Sequence, residues 1–147
     1  MRRSEFMMGG LDFKGLVAAQ MMETNVATTN LDSTWHDITR TITEQGFGDV
    51  PIVDANNKIL GIVTEYDLLK ALMESRDIKN TTAKDIMTKN VVCITEETHV
   101  SEIINILETK HLIRLPVVKN GELVGIVARR DVLLAYINAT EKPPGSL

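Results

Sequence analysis

The sequence has little cysteine, few aromatic residues and no excess of positive charge. Its single cysteine, Cys93, excludes an intramolecular disulfide and a metal cluster built on several thiolates. Aromatic residues make up 4% of the chain, so a core must be built mainly from Ile, Val, Leu and Met. The formal net charge of −4 argues against a general nucleic-acid or anionic-membrane surface, because such surfaces need a basic stripe.

Long apolar runs and catalytic motifs are also missing. No run approaches the roughly 20 residues that cross a bilayer, and residues 1–10 lack the apolar segment of a signal peptide. We therefore expect a cytoplasmic protein with no membrane partner. The chain has no GxxxxGK loop and no recognisable Ser-His-Asp or Cys-His arrangement, and His36, His99 and His111 lack zinc-site spacing. We expect no catalytic residues, no metal and no enzymatic turnover.

What the chain does contain is an internal duplication. A shift of 65 residues places Met22 on Met87 and Pro51 on Pro116. From Gly61 onward the shift is 64, and GIVTEYD at 61–67 falls on GIVARRD at 125–131. The change of shift from 65 to 64 occurs in the aligned hairpin loops DANNK and KNGE, and loops tolerate such changes of length. A single copy of about 60 residues would be marginally stable, so we expect the two copies to share a core.

Each copy predicts the order strand, helix, strand, strand, helix. The predicted segments are strands at 26–29, 50–54 and 58–64 with helices at 35–45 and 66–74, then strands at 91–94, 115–119 and 122–128 with helices at 99–110 and 130–139. We expect Asp32 or Ser33, and Thr98, to cap the first helix of each copy. The paired strands are expected to begin at proline, and Asn120-Gly121 predicts a type I′ hairpin turn. We expect Trp35 to be a core or dimer anchor, and Met21, Met22 and Met87 to fill gaps where the N-terminal segments meet the sheet.

These features resemble the cystathionine-β-synthase (CBS) domain in its usual tandem pair, the Bateman module of stand-alone CBS-domain proteins. The segments that carry the resemblance are GDVPIVDANNKILGIVTEYDLLKAL and IRLPVVKNGELVGIVARRDVLLAYI, each with a glycine, two apolar residues and a later aspartate. The resemblance implies an α/β (α+β) fold of two β-α-β-β-α repeats, packed with pseudo-twofold symmetry around a central cleft. The predicted divisions are a tail at 1–15, partly left over from cloning, domains at 16–76 and 82–139, a linker at 77–81, and a tail at 140–147.

The resemblance also implies a regulatory ligand, an adenosine nucleotide such as AMP, ADP or ATP, and no required cofactor. The motif aspartate would hold the ribose hydroxyls, a Ser or Thr would assist it, and arginines would meet phosphate. Carried onto this chain, one site would combine Ile62, Thr64, Asp67, Thr88, Val92, Ile113, Arg114 and Arg130. A weaker second site would combine Ala27, Asp49, Ile126 and Asp131, with Tyr66 and Ala128 beside them.

The two copies differ in a way that predicts one strong site and one weak or empty site. Ala128 lacks the hydroxyl that Thr64 has, and Asp49 would face the second site where Arg114 faces the first. A carboxylate beside phosphate is unfavourable, whereas a charge-assisted hydrogen bond contributes about 1.5–3 kcal/mol.

Other interpretations of the same residues stay open. Thr64-x-x-Asp67 also fits a capping box, and Arg114, Arg129 and Arg130 could be solvated charges. The resemblance implies a homodimer and an effector protein that the sequence does not identify. The competing hypotheses are a structural homodimerisation module without a physiological ligand, and a nucleotide hydrolase, which the missing catalytic motifs disfavour.

Overall fold

The chain folds as two compact units that do not follow the boundary between the repeats. The structure, a computed structural model, describes residues 12–74 and 77–141; the outer parts of both predicted tails and the end of the predicted first domain lie outside them. Residues 25–92 and 120–123 form what we call the first unit, and the remaining described residues form the second unit.

Both units mix helices with a small antiparallel sheet, which confirms the predicted fold class. The first unit contains α1 Trp35–Gln45, β1 Asp49–Val53, β2 Ile59–Thr64, α2 Glu65–Glu74 and α3 Ala83–Ile86. The second is built from α4 Val100–Thr109, β3 Arg114–Lys119, β4 Glu122–Ala128 and α5 Arg129–Thr140, with the start of β4 assigned to the first unit. Single-turn 3-10 helices lie at Phe13–Gly15, Ala18–Gln20 and Ile78–Asn80. The sheets are the pairs β1–β2 and β3–β4.

The predicted first strand of each copy is wrong. Segments 26–29 and 91–94 are reduced to single parallel bridges, Thr29 to Ile52 and Ile94 to Val117. Extending either bridge into a longer parallel strand would require a hydrogen bond from the backbone N–H of Pro51 or Pro116. Proline has no backbone N–H, so the pairing stops. The same prolines lie inside β1 and β3, which begin one residue before the predicted ranges and two residues before the prolines.

The predicted helix caps are also wrong. The α1 helix is capped by Thr34, whose hydroxyl accepts a hydrogen bond from the Asp37 N–H at 3.1 Å. Ser33 instead bonds the hydroxyl of Thr29. Helix α4 starts after His99, which provides no side-chain cap, while the Thr98 hydroxyl accepts from the Thr95 N–H at 3.0 Å. Two of the side chains expected to cap these helices, those of Ser33 and Thr98, therefore make hydrogen bonds within the preceding loops.

The hairpin turn and the core agree with the sequence. Asn120 and Gly121 have φ values of 53° and 82°, as a type I′ turn requires. The core of the first unit is aliphatic and consists of Ile38, Ile42, Val50, Ile52, Val63, Leu68 and Ala83. Trp35 packs against this cluster and donates its indole N–H to the Leu68 carbonyl at 3.0 Å. The second unit buries the equivalent aliphatic residues, including Ile103, Leu115 and Val127.

Candidate functional site

In the first unit, the strand-to-helix turn holds Thr64 and Asp67 in a reciprocal arrangement. The Thr64 N–H donates to Asp67 Oδ2 at 2.9 Å, and the Asp67 N–H donates to Thr64 Oγ1 at 3.2 Å. The Thr64 hydroxyl also donates to Asp67 Oδ2 at 3.1 Å. These bonds form a capping box. The geometry therefore confirms that Thr64 and Asp67 cap helix α2, which was one of the interpretations left open by the sequence.

A third residue, Thr88, comes to the same carboxylate from a different segment. Its hydroxyl lies 3.3 Å from Asp67 Oδ2 and 3.4 Å from Oδ1. Both distances exceed the 2.7–2.8 Å typical of an O–H···O bond. The Thr88 hydroxyl is therefore held near Asp67 weakly enough to turn toward another partner.

The backbone of the Thr88 segment is fixed against β2. Ile62 and Thr88 exchange two backbone hydrogen bonds of 2.9 and 2.8 Å. This close approach depends on Gly61, because a Cβ there would lie 2.6 Å from Met87 Sδ and 2.8 Å from the Thr88 carbonyl oxygen. Met87 thus fills the gap that the missing side chain leaves, as the sequence predicted for the methionines.

Asp67 retains hydrogen-bonding capacity on one side. Among the residues that the structure describes, its short contacts all use Oδ2, and Oδ1 has only the 3.4 Å contact with Thr88. A cavity of about 340 Å³ opens beside Asp67 and Thr88, with Lys70 and Asp85 also on its wall. The arrangement can therefore accept hydrogen bonds from a small polyol or sugar.

The equivalent turn in the second unit is poorer in donors. The Ala128 N–H donates to Asp131 Oδ2 at 2.7 Å, but no hydroxyl accompanies it. Glu23 pairs with Ile126 through backbone bonds of 2.8 and 2.9 Å, in the place that Thr88 takes against Ile62. Sequence reasoning missed Glu23, although the alignment of Met22 on Met87 already placed it over Thr88.

The predicted cationic residues belong to the second unit. Arg130 is exposed in the first turn of α5, Arg114 is half-buried at the start of β3, and Ile113 is 49% exposed. The Ile113 carbonyl accepts from the Arg129 N–H at 3.0 Å, which ties the start of α5 to the segment before β3.

The structure brings together only some of the predicted site residues. The first unit joins Ile62, Thr64, Asp67 and Thr88, and it also contains Ala27, Asp49, Tyr66 and Val92. Asp49 is buried opposite Thr64 on the paired strand. The second unit joins Ile126, Ala128 and Asp131, and it contains Ile113, Arg114 and Arg130.

Cys93 is half-buried, and burial raises the pKa of its thiol, which favours the neutral form. No group of three or more His, Cys, Asp or Glu side chains is placed to hold a metal within residues 12–74 and 77–141. None of the helices in those ranges has the length and apolar character needed to cross a membrane.

Comparison with known proteins identifies the family. The CBS domain profile matches residues 17–74 and 83–138. An uncharacterized 17.7 kDa protein of Acidianus ambivalens is 33% identical over 82% of this chain and 73% of its own length. A CBS-domain containing protein of Agrobacterium tumefaciens has a similar structure, with a TM-score of 0.73 and 28% identity over 82% of this chain and 99% of that one. The structure of CBSX2 in complex with AMP shares the fold, with a TM-score of 0.79 and 23% identity over 86% and 100% of the two chains. The chain therefore belongs to the CBS domain family and carries two copies of that domain.

Proposed function

We propose that this chain is a non-catalytic regulatory module that binds an adenosine nucleotide of the AMP, ADP or ATP class. The observation that carries the proposal is the approach of the Thr88 hydroxyl to the Asp67 carboxylate. A capping box needs only Thr64 and Asp67, so helix capping gives no reason for a third hydroxyl from a segment 21 residues further along. The AMP complex of CBSX2, a protein of the same fold, supports the choice of ligand class.

The first unit supplies groups suited to a ribose. Two neighbouring ribose hydroxyls are hydrogen-bond donors, and an ionised carboxylate accepts two bonds at once. In the proposed complex, Asp67 Oδ1 accepts from the ribose, and the Thr88 hydroxyl turns from the carboxylate to the ligand. Ile62 and Val92 contact the base through apolar surface.

The second unit supplies the phosphate-binding groups of the proposal. Arg130 lies in the first turn of α5 beside Asp131, at the end of the helix where the dipole favours an anion. Arg114 and Arg130 offer forked guanidinium groups that match phosphate oxygens. We propose that Arg114 and Arg130 bind nucleotide phosphate, and that the set Ala27, Asp49, Ile126 and Asp131 binds nucleotide weakly or not at all.

Two carboxylates support the weakness of that second set. Glu23 takes the position equivalent to Thr88, and Asp49 is equivalent to Arg114. Ala128 provides no hydroxyl. A nucleotide phosphate would therefore meet negative charge and lack a cationic partner from these positions.

We expect Arg114→Gln to weaken ATP binding more than adenosine binding. The substitution removes a charge-assisted hydrogen bond, so ATP affinity should fall about tenfold or more while adenosine affinity stays within about twofold. Calorimetric titration of both ligands measures the difference. Arg40→Gln, which removes an exposed charge on α1, is the matched control. Equal losses for ATP and adenosine would remove Arg114 from the phosphate site.

Signalling is proposed to follow from ligand binding by a shift in population. A nucleotide can move the equilibrium between two arrangements of the module only by binding one of them more tightly. The response is passed to an effector protein in the cytoplasm. We keep residues 16–76 and 82–139 as the proposed domains, with 77–81 as their linker.

A homodimer is part of this proposal. Two helices expose large apolar side chains: Tyr66 and Met73 on α2 are 84% and 87% exposed, and Leu133 and Tyr136 on α5 are 67% and 52% exposed. Apolar surface of this kind favours association. Sedimentation velocity should therefore give the mass of two chains, and Met73→Glu with Leu133→Glu should give one. A monomer for the unchanged protein at micromolar concentration would contradict the proposal.

The alternative is a structural homodimerisation module without a physiological ligand, and the complete capping box at Asp67 favours it. A ligand that binds only the folded state raises stability by an amount set by its concentration over Kd. Thermal denaturation with millimolar AMP, ADP and ATP, and with S-adenosylmethionine, separates the two hypotheses. An unchanged midpoint with all four compounds favours the structural module.

A further inference from the structure

The edge of β2 that faces away from β1 is paired at two separate places. Ile62, near the end of the strand, exchanges backbone hydrogen bonds of 2.9 and 2.8 Å with Thr88. Ile59, at the start of the strand, donates its N–H to the Gly121 carbonyl at 3.2 Å. Gly121 lies in the tip of the β3–β4 hairpin, residues 120–123, which belongs to the first unit. Two distant segments of the chain therefore hold the strand that leads to the proposed ribose site.

A β-bulge separates these two places. Leu60 has no partner in the register of β2 with β1, which makes it the extra residue of the bulge. The backbone N–H groups of successive residues point to alternate edges of a regular strand, so Ile59 and Ile62 would face opposite edges without an extra residue. If the bulge lost this position, Ile62 would direct its N–H and carbonyl toward β1. Thr88 would then lose both of its bonds to β2.

Side chains reinforce the contact between the two hairpins, which we call the hairpin joint: Asn57 and Lys58 of the first hairpin with residues 120–123 of the second. Asn57 Nδ2 donates to the Leu123 carbonyl at 2.7 Å, and Lys58 Nζ donates to the Asn120 carbonyl at 2.8 Å. The Leu123 N–H donates in return to the Asn57 carbonyl at 2.9 Å. The joint therefore fixes the residues that directly precede β2.

The loop that contains Asn57 does not itself need an asparagine at this position. Asn57 ends a three-residue loop in the left-handed region, with a φ of 64°, and glycine is the usual residue there. The loop is held by Asp54, whose carboxylate accepts the N–H groups of Asn56 and Lys58 at 2.8 and 2.9 Å. The turn therefore gives no reason for an asparagine, whereas the bond to the Leu123 carbonyl gives its side chain a role.

We propose that Asn57 is a positioning residue for the nucleotide site, although it lies outside that site. Its bond to Leu123 holds the start of β2 against the tip of the second hairpin, which keeps the bulge at Leu60. With the bulge in this position, the Thr88 segment stays bonded to β2 and the Thr88 hydroxyl stays beside Asp67. The inference rests on the proposed function, because the contact that Asn57 preserves is the one assigned to the ribose.

The test compares Asn57→Gly with Asn56→Gly in the full chain, by amide hydrogen exchange in NMR and by calorimetric titration with AMP. Glycine at position 57 keeps the left-handed φ and removes the side-chain bond to Leu123. Glycine at position 56 adds the same freedom to the unfolded chain, and the Asn56 side chain makes no hydrogen bond with the residues that the structure describes. The difference between the two variants therefore reports on the Asn57 side chain.

Asn57→Gly should raise the exchange rates of the Ile62 and Thr88 N–H groups by about threefold to tenfold. The exchange rate of the Ile38 N–H in α1 is the reference for overall stability. The affinity for AMP should fall by a similar factor, and Asn56→Gly should change neither quantity by more than about twofold. Asn57→Asp tolerates the same φ but offers an oxygen where the bond needs a donor, so its losses should be at least as large.

The NMR spectrum of each variant also reports whether it folds. Unchanged exchange at Ile62 and Thr88 in both Asn57 variants overturns the proposal, and so does an AMP affinity equal to that of the unchanged chain. Equal effects of Asn56→Gly overturn it as well, because they would reflect backbone freedom alone. Absence of AMP binding by the unchanged chain overturns the proposed function and, with it, the role of Asn57 in binding. The exchange rates need no ligand, so they distinguish the two failures.

Discussion

Asp67→Asn lowers the affinity for adenosine nucleotides by about tenfold to a hundredfold, whereas Asp131→Asn changes it by less than about threefold. The larger loss corresponds to the 1.5–3 kcal/mol that a hydrogen bond to a charged group contributes. Asn keeps the size of the side chain and one acceptor oxygen, but it lacks the negative charge that strengthens both ribose bonds. Calorimetry with AMP, ADP and ATP measures the two affinities.

Comparison of Asp67→Asn with Asp131→Asn also distinguishes an effect on ligand binding from an effect on helix capping. Both aspartates accept a backbone N–H in the first turn of a helix, Asp67 from Thr64 and Asp131 from Ala128. A loss of capping should therefore lower the stability of the two variants to a similar extent, about 1 kcal/mol in urea denaturation. Equal effects on nucleotide affinity would contradict the asymmetry between the two turns.

We expect Gly61→Ala to destabilise the protein by about 1–3 kcal/mol, the usual cost of overpacking. The added Cβ would lie 2.6 Å from Met87 Sδ and 2.8 Å from the Thr88 carbonyl oxygen, so the segment must move away from β2. This movement carries Thr88 away from Asp67, and nucleotide affinity should fall with the stability. Urea denaturation and calorimetry on the same variant measure the two effects.

The second repeat provides a control for this prediction. A Cβ on Gly125 would also meet a methionine sulfur at 2.6 Å, but the nearest backbone oxygen, that of Glu23, is 3.1 Å away. The clash at Gly125 is therefore mainly with a side chain that can be shortened. In double-mutant cycles, adding Met22→Ala to Gly125→Ala should restore more of the lost stability than adding Met87→Ala to Gly61→Ala. Gly61→Ala with unchanged stability would show that the Thr88 segment is not held against β2.

The repeated pattern of the chain predicted much of the fold, and the errors have a common physical origin. Hydrophobic periodicity located the paired strands and the four main helices, because the spacing of buried residues is a property of the sequence itself. Segments 26–29 and 91–94 have the same apolar character, yet each makes one bridge. The number of residues that pair depends on the backbone N–H groups available on the neighbouring strand, and the proline in that strand has none.

The candidate site was predictable in part from the same comparison of repeats. The differences at Thr64 and Ala128 are visible in the sequence. The contact of Thr88 with Asp67 depends on a tertiary approach over Gly61, and no local pattern reports its distance. Glu23 was visible in the alignment, but its importance follows only from the backbone pairing that places it in the position of Thr88.

Calorimetric titration of the unchanged full chain with AMP, ADP and ATP tests the central claim most directly. One nucleotide should bind per chain, because only one of the two turns offers hydroxyls beside its carboxylate. No binding of any nucleotide at millimolar concentration, or two sites of equal affinity per chain, would contradict it.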